Sequence, residues 1–183
     1  LLDENQILEG NFKIVNSIAS IEKIVEEAID QNKGRYFDVK TKIETKFDPN
    51  LPYLICDRLR VLQVISNLIS NSIKYSQQNI DIIISVKYNK DNLLISISDQ
   101  GIGMNNEDIE LALNPYDHHE SNKKYSFGSY GLGLKIVKML LEAHEAKFII
   151  NSIKGKGTQS IIIFPEHKLT YDKTSKDYKN NMQ

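Results

Sequence analysis

The chain has 183 residues, 40% of them hydrophobic, and 23 basic against 24 acidic side chains for a net charge of -1, which suits one sizeable globular domain. Such a balance leaves no electrostatic footprint for non-specific nucleic-acid binding, and no apolar run approaches the roughly 20 residues needed to span a bilayer, so neither nucleic acid nor membrane is an expected direct contact. The single cysteine, Cys56, cannot close an internal disulfide and no zinc-ligand spacing occurs, which argues against a secreted disulfide scaffold and a zinc module and for a reducing compartment.

The chain opens on Leu1 with no signal-peptide pattern, and it reads as a cytoplasmic piece of a longer protein, compatible with a membrane-anchored parent. Residues 1–9 look like the last turns of a helix, with Gly10 and Asn11 as its stop. Phe12 to Ile18 alternates as a strand, and Ile21, Ile24, Val25, Ala28 and Ile29 then fall at helical spacing behind Ser20 as N-cap. Phe37, Val39, Thr41 and Ile43 restore the period of two, and Pro49 and Pro52 punctuate a loop before Asp57. Asp57 caps a long helical pattern that runs to about Ser76. Ile80 to Tyr88 and Asn92 to Ser98 are the strongest strand patterns, joined by the turn Asn89-Lys90-Asp91. A short helix is expected from Glu107 to Leu113, and a longer one from Leu132 to Ala143. The intervening Asn114 to Tyr130 exceeds the usual loop length, which marks it as functional or mobile. Phe148 to Ile150 and Ser160 to Phe164 are late strands around Gly155-Lys156-Gly157, and from Glu166 to Gln183 the chain is polar without apolar period.

Four pieces carry chemistry. On the helix from Asp57, Gln63, Asn67, Asn71 and Lys74 share a sector of about 80°, opposite Leu62, Ile65, Leu68, Ile69 and Ile73. A solvated face is one reading. Against it, two asparagines one turn apart are unfavourable by propensity, while amide oxygens suit a hard cation such as Mg²⁺ and Lys74 suits a phosphate. Asp99 continues the phase of Leu93, Ile95 and Ile97, so its carboxylate points to the covered side of the sheet and needs donors. Backbone N–H groups of the turn Gly101-Ile102-Gly103 supply them in one reading; the exocyclic amine of a purine does in the other, the glycines admitting the base. Gly128-Ser129-Tyr130-Gly131-Leu132-Gly133-Leu134 runs into a helix, as either a plain turn or an anion site. It is neither a Walker A loop nor a Rossmann fingerprint. Gly155-Lys156-Gly157-Thr158 alone reads as a hairpin turn.

In this order and spacing the four pieces resemble the catalytic and ATP-binding domain of sensor histidine kinases, within the superfamily that includes gyrase, MutL and heat-shock chaperone ATPases. The resemblance covers Asp57 to Pro165, and the stretch from Asp57 to Ser76 looks like the family's N box. It implies an α+β fold: a two-layer sandwich whose mixed, mostly antiparallel sheet is covered on one face by about three helices. It also implies that Asn71, with Asn67, holds Mg²⁺ on the phosphates of ATP, that Lys74 touches phosphate, and that Tyr75 lies near the nucleotide. Asp99, Gly101 and Gly103 match the G1 box, whose Asp receives adenine's amino group. Gly131, Leu132, Gly133 and Leu134 match the G2 box that closes over the phosphates, and Thr158 matches the threonine beside the adenine-binding Asp.

The implied organisation is the end of a dimerisation and phosphoacceptor hairpin helix at residues 1–10, the catalytic domain at 11–165, and a polar linker or disordered tail at 166–183. The implied partners are that hairpin in a homodimeric parent and a downstream response-regulator receiver domain. Three departures accompany the match. Ser129 and Tyr130 alter the residues before G2, His118 of Pro115-Tyr116-Asp117-His118 stands where Gln or Arg is common, and Glu145-Ala146 replaces a common Gly-Gly. If the last turn needs a left-handed residue, Glu145 costs on the order of 1 kcal/mol. None of His118, His119, His144 or His167 has the context of a phospho-acceptor, which is expected before Leu1. Two alternatives stand beside the kinase: a degenerate nucleotide-binding scaffold, and an ATP-hydrolysing clamp, for which Asn67 occupies the place of a catalytic Glu.

Overall fold

The computed structural model describes residues 6–33, 42–76, 81–114 and 132–172. Residues 6–8 are helical, and this turn ends where the Asn11 N–H reaches the Gln6 carbonyl at 2.8 Å and the Gly10 N–H the Ile7 carbonyl at 2.9 Å. That double bond pattern is a Schellman stop. The strand expected from Phe12 is confined to β1, Ser17–Ala19, and α1 follows over Ile21–Lys33 with Ser20 Oγ accepting the Lys23 N–H at 3.3 Å. Strand β2 is Lys42–Phe47; Phe37, Val39 and Thr41, expected at its start, lie outside the described residues.

The loop expected between Pro49 and Asp57 contains a strand, β3, Tyr53–Cys56. Helix α2 spans Arg58–Lys74, and the Asp57 carboxylate accepts the Arg60 N–H at 3.2 Å as its cap. Strands β4, Asp81–Tyr88, and β5, Asn92–Ser98, form the expected hairpin, with Lys90 at φ +73° in its turn. Helix α3, Asn106–Leu113, starts from an Asn105 and Asp108 capping box. Helix α4, Gly133–Ala143, leads to β6, Lys147–Ile153, and β7, Gly157–Pro165, both longer than the apolar pattern foretold.

The main sheet has the order β2-β4-β5-β7-β6, antiparallel throughout except for the parallel β2–β4 pair. One face alternates Ile82, Ile84 and Val86 with Leu93, Ile95 and Ile97, and with Ile162 and Phe164, all buried. The period of two sends Lys87, Ser85 and Ser96 to the other face. Helices cover the buried face. Helix α2 packs between α1 and α4, and the apolar side of α2, Leu62, Ile65, Leu68, Ile69 and Ile73, joins the same core. Each such Leu or Ile contributes about 1.5–3 kcal/mol by leaving water. The result is the α+β sandwich expected, with Arg58 paired to Glu27 between α2 and α1.

A second sheet, β1-β3-β8, was not foreseen. The polar segment expected from Glu166 onward begins with ordered structure: a 3₁₀ turn at Glu166–Lys168 and the strand β8, Leu169–Thr170, antiparallel to β3. Residues 166–170 therefore belong to the folded unit, and residues 173–183 lie outside those described. The turn at Glu145 does need a left-handed residue, since Glu145 sits at φ +59°. Its carboxylate meets Lys168 Nζ at 2.6 Å and His167 Nε2 at 3.0 Å, so the residue that strains the turn also ties down the 3₁₀ segment.

Candidate functional site

Helix α2 reaches the sheet with its C-terminal half, and a cleft opens between that half, the loop after β5, the first turn of α4 and strands β6 and β7. From α2 and its C-cap, Leu68, Asn71, Ser72 and Tyr75 line it; from the loop, Asp99, Ile102, Gly103 and Met104. Leu134, Ile150, Thr158 and Ser160 complete the wall. The lining is mostly apolar with a few convergent polar groups at one end, the composition of a small-molecule site.

Those polar groups centre on Asp99. The phase of β5 carries its carboxylate to the helix-covered side, as the alternation of Leu93, Ile95 and Ile97 requires. Oδ1 accepts the Gly101 N–H at 2.9 Å and the Thr158 N–H at 3.2 Å, and Oδ2 accepts the Ser72 hydroxyl at 2.8 Å. Backbone donors thus satisfy one oxygen, as one sequence reading held, and the other oxygen faces a side chain of α2. The Asp99 backbone joins the β6–β7 hairpin too, its N–H donating to the Thr158 carbonyl at 2.9 Å.

Gly103, which one sequence reading held open for a purine base, and Gly157, read as part of a hairpin turn, both make room for the chain itself. Gly103 has φ +61°, and a Cβ there would collide with the Ile153 carbonyl. Gly157 has φ +106°, and a Cβ there would strike the Asp99 carbonyl. The close approach is therefore chain against chain, which presses the loop after β5 into the β6–β7 hairpin. The Gly155 N–H reaches the Ile102 carbonyl at 2.6 Å and the Met104 N–H reaches Ser152 Oγ at 2.8 Å, locking the same junction. On its other side the loop is tied to α2, where the Ile102 N–H donates to the Tyr75 carbonyl at 3.1 Å.

Of the residues expected at a site, Asn71, Tyr75, Asp99, Gly103, Leu134 and Thr158 line this cleft, and Gly101 backs the Asp99 carboxylate. Asn67 lies one turn before Asn71 on α2 and is half-buried, but it is not on the cleft wall. Lys74 is exposed, with Nζ 5.2 Å from the centroid of the Tyr75 ring, an arrangement that holds the cation by the ring's quadrupole. Leu132 packs against the core and precedes α4 without a side-chain cap bond to any described residue, and a Cβ on Gly133 would meet no described atom within 4 Å. Gly131, and with it most of the glycine cluster, lies outside the described residues, as do Tyr116, His118 and His119. Sequence reasoning missed Ser72, Met104 and Ile150. Of these only Ser72 left a trace, as a small polar residue on the buried side of α2.

Asn71 is a candidate metal ligand by its chemistry: its amide oxygen is a hard neutral donor on the cleft wall, suited to a cation that keeps its remaining positions for water and phosphate. Among the described residues no group of three or more His, Cys, Asp or Glu could enclose a metal ion by itself. A cation here would be shared with a ligand's own oxygens.

Elsewhere, buried titratable groups have structural duties. The His144 ring is 1% exposed; its Nε2 accepts the Asp57 N–H at 3.0 Å and its Nδ1 lies 2.7 Å from the Leu140 carbonyl. That pair of partners places the proton on Nδ1. Burial pushes the His144 pKa down, and it pushes the Cys56 thiol up to about 12, leaving it unreactive at neutral pH.

The cleft thus lies between a central helix bearing Asn71, the loop after β5 bearing Asp99, and the first turn of α4, in an α+β sandwich. The family described as histidine kinase-, DNA gyrase B-, and HSP90-like ATPase matches residues 56–168, and the chain belongs to it. The cell-division control histidine kinase PdhS of Brucella ovis is 30% identical over 181 residues, covering 94% of this chain and 18% of its own. The same protein of Brucella abortus gives the same identity and coverage. The chain thus spans about a fifth of the length of the curated relatives it matches. Among solved structures, Acinetobacter baumannii histidine kinase AdeS superposes with a TM-score of 0.68 at 21% identity, over 89% of this chain and 73% of that one. Full-length ShkA in complex with AMPPNP superposes with a TM-score of 0.71 at 16% identity, over 90% and 35%. These likenesses support the fold.

Proposed function

We propose that this domain binds Mg-ATP and transfers its γ-phosphoryl group to a histidine in a preceding segment of the parent protein. The observation that carries the reading is the Asp99 carboxylate, fixed by three donors in a mostly apolar cleft that Asn71 of α2 also lines. Asp99 would accept from the adenine amine, and Tyr75, Gly103 and Thr158 would border the base. Asn71, with Asn67 behind it, would hold Mg²⁺, and Lys74 with the N–H groups at the start of α4 would meet the phosphates. Magnesium supplies charge neutralisation when bound. This chain's own part is to position: phosphoryl transfer needs alignment and electrostatic stabilisation more than covalent help.

An acceptor histidine suits the site better than water does. Asn67, one turn before Asn71, has an amide where a carboxylate would be needed to activate water, and an amide is no base. The parent would be a two-component sensor kinase, with residues 1–10 ending a dimerisation hairpin, the catalytic domain running from residue 11 through the β8 strand at Leu169–Thr170, and a receiver domain as downstream partner. No helix among the described residues is long and apolar enough to cross a membrane. The test is to join the domain to a dimerisation hairpin carrying its histidine and supply γ-labelled ATP. Acid-labile label on that histidine, lost in Asp99→Ala and Asn71→Ala, is expected. Tight nucleotide binding without label would contradict the kinase and leave a nucleotide-binding scaffold.

A further inference from the structure

The main sheet has two faces, and helices cover one of them. On the other, the pairing register sets four side chains in one row across neighbouring strands: Lys87 of β4, Leu94 of β5, Ile163 of β7 and Lys147 of β6. The next row places Ile161 beside Ile149. Leu94, Ile161 and Ile163 are half-buried and Ile149 is 42% exposed, and none of the four packs against the core. The solvated face of an antiparallel sheet is ordinarily polar, and the part of this face beside the patch is so: Gln159 joins Asn151 to Ser96 through hydrogen bonds of 3.3 and 3.1 Å. The apolar patch is the exception, and such patches mark surfaces that another molecule covers.

Charge of one sign bounds the patch. Lys87 and Lys147 close its row at either end, both exposed and neither in an ion pair with a described residue. The acidic side chains of this face stand elsewhere: Glu44 pairs with Lys46 at 3.3 Å on β2, and Asp81, at the far end of β4, has Lys42 as its cross-strand neighbour. Three strand spacings, about 14 Å, separate the backbones that carry the two lysines. An α-helix with its side chains is about 10–12 Å across. A helix laid along the strands therefore fits between the ammonium groups, its apolar stripe on Leu94, Ile161 and Ile163 and its two flanks beside Lys87 and Lys147. A strand added at the edge of β6 would leave Leu94 bare, and a flat row of half-buried side chains offers a bilayer little to insert.

We propose that this open sheet face is a docking surface for an amphipathic helix of a partner protein, one whose apolar stripe is flanked on both sides by Glu or Asp. The isoleucines and Leu94 supply the area that leaves water, and the two lysines set the orientation and exclude a basic helix. The bound helix adds a third layer to the two-layer sandwich. It rests on β6 and β7, which turn Ile150, Thr158 and Ser160 to the cleft on their other side.

The probe is a synthetic helical peptide with Leu at positions i, i+3, i+4 and i+7 and Glu on both flanks, beside a control peptide with Lys for each Glu. In a methyl NMR titration of the chain, the acidic peptide is expected to shift Leu94, Ile149, Ile161 and Ile163, and the basic control to leave them unmoved. Reversing both exposed charges, Lys87→Glu with Lys147→Glu, is expected to weaken the acidic peptide about 10-fold and to turn the preference to the basic control. A melting curve confirms that this variant is folded. Equal binding of the two peptides, shifts confined to other residues, or no shift up to about 1 mM peptide overturns the proposal. Shifts of the same methyls on concentrating the chain alone, or on adding phosphatidylserine vesicles, would give the face to a second copy or to a membrane and overturn it as well.

Discussion

The two ends of the cleft are built differently. At the inner end, Asp99 is gripped by donors from three separate elements, and the loop that follows it is wedged between α2 and the β6–β7 hairpin. At the outer end, α4 begins after Leu132 with no side-chain cap among the described residues. One end is preorganised by the protein's own groups; the other carries the first backbone N–H groups of α4, which lie outside the helix's own hydrogen-bond ladder. The difference teaches where affinity and where chemistry should reside. In the proposed function, recognition of the base falls to the rigid end and handling of phosphate to the first turn of α4.

Breaking the rigid end should have the largest effect on binding. Asp99→Ala removes a charge-assisted hydrogen bond worth about 1.5 to 3 kcal/mol, so ATP affinity should fall roughly 10- to 150-fold in a calorimetric titration. An affinity within twofold of the original would refute adenine recognition by Asp99. At the boundary between the ends, Asn71→Ala should abolish the tightening of ATP binding by Mg²⁺. If magnesium still tightened binding by the same factor, Asn71 would not be its ligand.

Smaller effects come from the scaffold behind the cleft. His144→Ala strips the Asp57 N–H of its acceptor and removes the ring from Leu140 and Phe164; such a buried loss costs about 1–3 kcal/mol, read as a lower melting temperature. Because burial lowers the His144 pKa, the unfolded chain takes up the proton first as pH falls. The imidazole's contribution is fully present above its ordinary value of 6.5 and is lost as pH drops below it toward the folded value. The original chain should therefore lose more stability between pH 7.5 and 5.5 than His144→Ala does. Equal losses would show that His144 does not set this dependence. Smallest of all is Glu145→Gly. Relief of a left-handed backbone gains about 1 kcal/mol, and loss of the pairs with the exposed His167 and the largely covered Lys168 gives back about as much, so the melting temperature should move by no more than about 3 °C.

Much of this architecture was legible because its signals are local. Asp57 and the apolar side of α2 define that helix within its own sequence, and Asn89-Lys90-Asp91 marks the β4–β5 turn between two alternating strands. The direction of Asp99 follows from parity along β5. What escaped depends on distant partners. Strand β3 has four residues between a proline and a helix cap, and β8 has two; both exist through pairing in a second sheet whose strands lie far apart in the chain. Ser72 reads as one more small polar residue until Asp99, 27 positions away, is placed against it. Gly103 was read as admitting a base and Gly157 only as part of a hairpin turn; the surfaces that demand them are Ile153 and Asp99 of the chain itself. His144 carries no local hint that it pins the cap of α2. The glycine cluster ahead of α4 was read as either a plain turn or an anion site, and Gly131 is outside the described residues, so its part at the outer end is a proposal.

The account's central claim is that this cleft is a magnesium-assisted adenine-nucleotide site, and titration of the chain with ATP and GTP, each with and without Mg²⁺, tests it most directly. Binding of ATP that Mg²⁺ tightens, with GTP markedly weaker under both conditions, is the predicted result. Equal affinity for the two nucleotides, or no binding of either, would contradict it.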